Sequence, residues 1–111
     1  MLKINNVELE LDLMDADTAE KYEKAIKNLD EKEKNKQEGL GMAETIRQEC
    51  KLVFDFFNEV FGEGTDKKIF GNKTNYAECE KAFKQVCDYT VAQTTDLRKR
   101  TAKYSSNRVK R

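Results

Sequence analysis

Histidine and proline are absent from this sequence of 111 residues, and glycine is scarce, with five residues. Without histidine the chain lacks the commonest general base, and none of its serine or cysteine residues lies beside a recognisable activating partner. The lack of proline and the abundance of Lys, Glu, Asp, Gln and Ala favour helices over an all-β fold. We therefore expect a mainly α protein that is not an enzyme and has no catalytic residues.

Long apolar segments are also lacking. No run approaches the roughly 18 apolar residues that a membrane-spanning helix needs. The N-terminus does not show the basic and then apolar pattern of a signal peptide. These two observations predict a cytoplasmic protein that makes no membrane contact.

Cysteine and carboxylate patterns offer no metal site. The three cysteines, Cys50, Cys79 and Cys87, show no CxxC spacing, and without histidine they cannot complete a Cys/His zinc set. Asp12, Asp15 and Asp17 could bind a hard cation, but their spacing is not that of a calcium loop, and helix capping explains them more simply. We expect reduced, buried thiols and no metal, cofactor or small-molecule substrate.

The formal net charge of zero hides a strong asymmetry. All 21 acidic residues lie in residues 1–96 with 14 basic ones, which gives that part a net charge of −7. Residues 97–111 carry seven basic residues and no acidic one. An acidic body with a basic tail is typical of chains that use the tail as an interaction segment.

The first 13 residues alternate between apolar and polar side chains around Asn5 and Asn6. This period of two predicts a small β-hairpin with one apolar face, which must rest on the helices or on another chain. Asp17 and Glu20 then resemble a cap and the third position of a helix over residues 18–36. The charged end of that helix has no apolar residue and should be solvated.

The sequence pattern predicts two further long helices. The first runs from Leu40 or Met42 to Phe61 and ends at Gly62, a candidate left-handed cap. A short turn of helix over residues 65–70 comes next, capped by Thr65 or Asp66. A last helix begins after Asn75, whose spacing to a glutamate marks a cap. We predict a hairpin (residues 1–13) on a bundle of three to four helices, forming one domain over residues 1–104, with a basic flexible tail over residues 105–111.

The segment KLVFDFFNEVFGEG, residues 51–64, concentrates seven large apolar side chains between Leu52 and Phe61. At about 100° per residue most of these fall on one stripe, whereas Leu52 and Phe56 widen the apolar arc to roughly 200°. A surface helix needs little more than about 100°. Leu52 and Phe56 are therefore covered either by the hairpin and first helix or by a partner. The segment GEG is a helix stop rather than a phosphate loop.

The basic end of the chain is the second predicted contact region, with Arg98, Arg100 and Arg108 as its candidate residues. Its cations could contact phosphates, with Tyr104 stacking on a base. They would equally suit the end of a helix or an acidic protein surface. Because the acidic body repels phosphate, nucleic-acid binding is the less favoured alternative.

Three stretches of the chain resemble a known family: MLKINNVELELDLMDADTAEKYEKAIKNL, FFNEVFGEGTDKKIFGNKTNYAECEKAFKQV and YSSNRVKR. They are similar to small proteins encoded in the tail-morphogenesis modules of phages and prophages of Gram-positive bacteria. Members tend to share a KINNVELE-like strand pair, FF(N/D)xxFGEGT with (I/V)FG, and YSxNRxxR. The chain has Ser106 and Val109 where Pro and Ala are typical.

The resemblance implies a function in phage tail assembly. Some small proteins of this layout are called tail assembly chaperones, which coat the hydrophobic tape-measure protein before tail tube subunits polymerise around it. We accordingly predict a chaperone-like phage accessory protein of the host cytoplasm, binding a tape-measure or tail tube protein, or its own copies as an oligomer. The alternatives are an inhibitor of a host defence nuclease, with the acidic body in a basic groove, and a nucleic-acid binder.

Overall fold

A computed structural model describes the backbone of residues 2–109 and the side chains of residues 2–104. Within that range the chain forms a two-stranded hairpin followed by four helices, as the sequence predicts. The elements are β1 (Leu2–Ile4), β2 (Val7–Leu9), α1 (Ala16–Lys34), α2 (Met42–Phe61), α3 (Thr65–Phe70) and α4 (Tyr76–Val109).

The hairpin turns at Asn5 and Asn6, as predicted. Both residues have positive φ, 49° and 66°, the backbone that a tight hairpin turn requires and that asparagine tolerates. The strands pair antiparallel with Leu2 opposite Leu9. The side chain of Asn5 donates a hydrogen bond to the carbonyl oxygen of Ile69 at 3.2 Å, which ties the turn to α3. The apolar face of the hairpin segment is buried in the core through Leu2, Ile4, Leu9 and Leu11.

Helix α1 begins two residues earlier than the sequence indicated. The cap is Asp15 rather than Asp17, because the Asp15 carboxylate accepts hydrogen bonds from the backbone nitrogen and the hydroxyl of Thr18, at 3.0 and 2.8 Å. These two bonds lower the pKa of Asp15. Asp17 lies in the first turn, where its charge complements the helix dipole.

Two glycines separate α2 from α3. Gly62 follows α2 with φ 110° and ψ 157°, so its φ is positive but the predicted left-handed helical conformation is wrong. That conformation belongs to Gly64, at φ 89° and ψ −3°, which is also the residue that caps α3. The expected cap at Thr65 or Asp66 is therefore wrong. The Thr65 hydroxyl instead donates back to the carbonyl oxygen of Gly62 at 2.7 Å.

Helix α2 lies at the centre of the molecule, packed against α1, α3 and α4. This position explains its wide apolar arc, because neighbours cover it from more than one side. Phe56 and Phe57 are the largest of its fully buried side chains, at 1% and 0% exposure. Their rings meet at a centroid distance of 5.7 Å and an angle of 84°, the edge-to-face arrangement that aromatic pairs favour.

Helix α4 extends beyond the core. Its 34 residues correspond to about 51 Å of helix, in a molecule that measures 63 × 31 × 21 Å. The last of its described side chains to be buried is Thr90. The helix continues past residue 104, so the end of the domain that was predicted there does not coincide with a break in the helix. Residues 91–109 contain no glycine or proline that would end it. That residues 105–111 are flexible stays a prediction.

Candidate protein-binding groove

An apolar groove lies between the second half of α1 and the start of α4, with α2 as its floor. Its volume is about 510 Å³. It forms because the apolar stripe of α1 is narrow, so α1 and α4 both pack on α2 without closing over it. Nearer the other end of α1, helices α1 and α4 are linked by Tyr22 and Thr90, whose hydroxyl oxygens lie 3.2 Å apart. The groove is lined by Ile26, Leu29, Asp30, Glu33, Glu49, Leu52, Val53, Tyr76, Glu80 and Phe83.

The rim of this groove is acidic, with carboxylates from all three helices. Lys36 bridges Glu33 and Glu49, which lies 2.8 Å from its ammonium group, and the two carboxylates raise the pKa of that lysine. Lys34 approaches Asp30 at 3.1 Å. Four rim carboxylates against two lysines leave a net negative charge at the mouth of an apolar site.

Tyr76 and Glu80 form the α4 side of the rim. The Tyr76 hydroxyl donates to the Glu80 carboxylate at 3.4 Å. Partial burial and the neighbouring Glu80 raise the pKa of Tyr76. Both side chains remain accessible from solvent, with Tyr76 43% exposed. An incoming cation would therefore meet Glu80 directly, since the bond that Glu80 accepts from Tyr76 comes from a neutral phenol.

The structure separates the two apolar residues that the sequence singled out. Leu52 lines the groove floor and is 8% exposed. Phe56 is 1% exposed and belongs to the core, so its assignment as a partner-binding residue is wrong. Helices α1 and α4 both contribute to its cover, with the rings of Tyr22 and Phe83 at centroid distances of 6.1 and 5.0 Å.

The basic candidate residues lie far from the groove. Arg98 and Arg100 are exposed on the distal part of α4, by which we mean residues 91–104. Arg100 approaches Asp96 of its own helix at 3.0 Å. From Phe83 to Arg100 the helix rises by about 25 Å. The side chain of Arg108 lies outside the described residues. The distal part of α4 also exposes three large apolar side chains, Val91, Leu97 and Tyr104.

Gln93 is a structural residue that the sequence did not reveal. Its side-chain amide donates to the carbonyl oxygen of Leu11 at 2.6 Å and accepts from the backbone nitrogen of Leu13 at 2.7 Å. A glutamine between Ala92 and Thr94 carries no pattern that would predict such a contact. It fastens the segment after the hairpin to α4, beside a cleft of about 550 Å³.

Two of the three cysteines meet in the core. Cys50 of α2 and Cys79 of α4 are each 0% exposed, and their thiols are neighbours. Burial, together with the neighbouring Cys50 thiol, raises the pKa of Cys79 to about 12. Both are free thiols, and Cys87 is half-buried.

Two other kinds of site are absent from the part of the chain that the structure describes. Among residues 2–109 no helix combines the length and the apolar character that crossing a bilayer requires. Nor do three or more Cys, Asp or Glu side chains of that range gather where they could hold a metal ion.

Comparison with known proteins gives a family and no closer relative. Neither the curated proteins nor the solved structures contain a match to the chain. One protein-family model does match, over residues 5–111, which is nearly the entire chain. The chain therefore belongs to DUF6673, a family of unknown function.

Proposed function

We propose that this protein is a non-enzymatic, chaperone-like binding protein of the bacterial cytoplasm, which holds a helical segment of an unassembled protein in its groove. The observation that carries the proposal is the groove between α1 and α4, apolar at its floor and acidic at its rim. The resemblance of the sequence to phage tail-module proteins makes a tape-measure or tail tube protein the expected partner.

The shape of the groove suits a helix. Its α1 wall runs from Ile26 to Glu33, a rise of about 10 Å or two helical turns. A helix lying there would present apolar side chains at positions i, i+4 and i+7, the spacing of helix-in-groove recognition. Helices α1, α2 and α4 already form the walls and floor of the groove, so a bound helix would complete a bundle of four.

The charge of the rim determines which residues are favoured beside the apolar face of that helix. Carboxylates on both walls favour a segment whose apolar face is bordered by lysine or arginine, and they disfavour acidic segments. Each fully buried apolar anchor contributes roughly 1.5 to 3 kcal/mol, and two or three anchors must also offset the cost of association. We therefore expect moderate affinity, which suits a protein that must later release its partner.

Capture from prophage-induced cells tests the proposal, using the wild type and Glu80→Lys, a rim charge reversal. A tape-measure or tail tube protein should be retained by the wild type and reduced at least tenfold with Glu80→Lys. Glu63→Lys, an exposed glutamate away from the groove, is the matched control and should retain it. Capture of a nuclease that is lost at high salt would favour the inhibitor function, and retention of DNA or RNA the nucleic-acid function.

A further inference from the structure

We infer that the groove also accepts the distal part of α4 from a second copy of this chain, through residues 97–104. The inference rests on the proposed function, because it names a second occupant of the same groove. It follows from the match between the two surfaces in length, apolar spacing and charge.

The spacing of the two exposed large apolar side chains of the segment, Leu97 and Tyr104, fits the groove. Leu97, Thr101 and Tyr104 stand at positions i, i+4 and i+7, so they share one face of α4 over two turns. Leu97 is 41% and Tyr104 is 66% exposed, so both side chains are accessible to a second molecule. The length of this face equals that of the α1 wall between Ile26 and Glu33.

The charge of the segment is opposite to that of the rim. Residues 97–104 carry Arg98, Lys99, Arg100 and Lys103 and no acidic residue. In the groove they would face Glu33, Glu49 and Glu80. Arg100 already approaches Asp96 at 3.0 Å, an exposed pair that contributes little stability and is easily exchanged.

A copy cannot place its own segment in its own groove. Phe83, on the groove wall, and Leu97 lie on one continuous helix, about 21 Å apart along its axis. No glycine or proline between them allows a bend. The effective concentration of the segment at its own groove is therefore close to zero, and occupation must come from another molecule and depend on protein concentration.

Light scattering on the full chain tests the inference, with the double variant Leu97→Asp/Tyr104→Asp. The wild type should reach at least twice the 12.9 kDa of one chain as its concentration rises, and the variant should stay at the mass of one chain. Both residues are exposed, so the circular dichroism of the variant should be unchanged. Val91→Asp is the matched control, because Val91 is 64% exposed on another side of the same helix, and it should associate like the wild type.

Mixing two variants shows which surfaces meet. Glu80→Lys should also stay at the mass of one chain, but an equimolar mixture with Leu97→Asp/Tyr104→Asp should associate, because one variant keeps its segment and the other its groove. A wild type that has the mass of one chain at every concentration would overturn the inference. So would association that survives both variants, or a mixture that does not associate. If only these association results fail while Glu80→Lys still loses a captured tail protein, the proposed function stands without the inference.

Discussion

At the scale of single residues, Phe56 is the clearest case of a side chain whose role depends on its neighbours. It contacts rings from three helices, and its own ring is almost inaccessible to solvent. We expect Phe56→Ala to lower the free energy of unfolding by about 3–5 kcal/mol, because it leaves a cavity between these rings. Urea unfolding measures this loss. Tyr104→Ala, at an exposed site, should change it by less than about 0.5 kcal/mol. Similar losses for both variants would contradict the assignment of Phe56 to the core.

The cysteines should differ sharply in reactivity. Cys50 and Cys79 are shielded from solvent, whereas Cys87 is only half-buried. In the native protein a thiol reagent such as DTNB should modify Cys87 first and leave the other two protected until the chain unfolds. Cys87→Ala removes the early phase, and full modification in urea counts all three thiols. Rapid native modification of Cys79 would show that α2 and α4 separate more readily than their packing indicates.

The raised pKa of Cys79 also gives stability a dependence on pH. In the unfolded chain this thiol ionises near its ordinary pKa of 9.0, whereas in the folded chain it stays protonated to about 12. Above pH 9 the unfolded state therefore binds fewer protons than the folded state, and the free energy of unfolding falls as the pH rises. Below pH 9 the thiol is largely protonated in both states, so it adds little pH dependence to the free energy of unfolding. Denaturation at several alkaline pH values should show a smaller decline for Cys79→Ala than for the wild type.

At the scale of secondary-structure elements, Gln93 determines how the hairpin is held. Its amide satisfies one backbone acceptor and one donor of the segment between β2 and α1. Gln93→Leu keeps the volume but leaves both groups without a partner, at a cost of roughly 1–3 kcal/mol. Thermal unfolding should detect this loss, with Thr94→Leu on the exposed side of α4 as the control. If the two variants melt together, the contact with Gln93 does not stabilise the hairpin.

The elements were largely predictable because each is marked by local chemistry. Alternation around Asn5 and Asn6 gave the hairpin, and Asn75 capped α4 as its spacing indicated, accepting from the backbone nitrogen of Glu78 at 3.0 Å. The errors concern the residues that cap the helices. Asp15 and Asp17 are chemically equivalent as caps, and only the position of Thr18 decides between them.

The candidate site was less predictable than the fold, because it depends on packing between elements distant in sequence. A helical projection shows that Leu52 and Phe56 lie off the main stripe, but it does not show what covers them. Phe83 closes over Phe56 from α4, whereas above Leu52 the two walls stay apart. The acidic rim combines residues separated by up to 50 positions, from Asp30 to Glu80. No local pattern brings them together.

At the scale of the whole molecule, the fold consists of a packed body and a projecting helix. The radius of gyration is 17.0 Å, whereas a compact chain of this length would have about 13 Å. Residues 97–104 of α4 are all exposed, so this stretch of the helix should open more easily than the part that carries Cys79 and Val86. We expect the amide protons of residues 97–104 to exchange at least a hundredfold faster than those of residues 79–90, as measured by hydrogen exchange. Equal protection at low protein concentration would contradict this difference.

The placement of the tyrosines gives the molecule its own optical readout. The chain contains no tryptophan and four tyrosines, so tyrosine dominates its near-ultraviolet absorption and emission. Tyr76 stands at the groove rim and Tyr104 at the far end of α4, and both are exposed. A foreign helix in the groove would perturb the spectrum of Tyr76 alone, whereas a second copy would perturb both chromophores together. Comparing difference spectra of Tyr76→Phe and Tyr104→Phe would thus identify the occupant without any label.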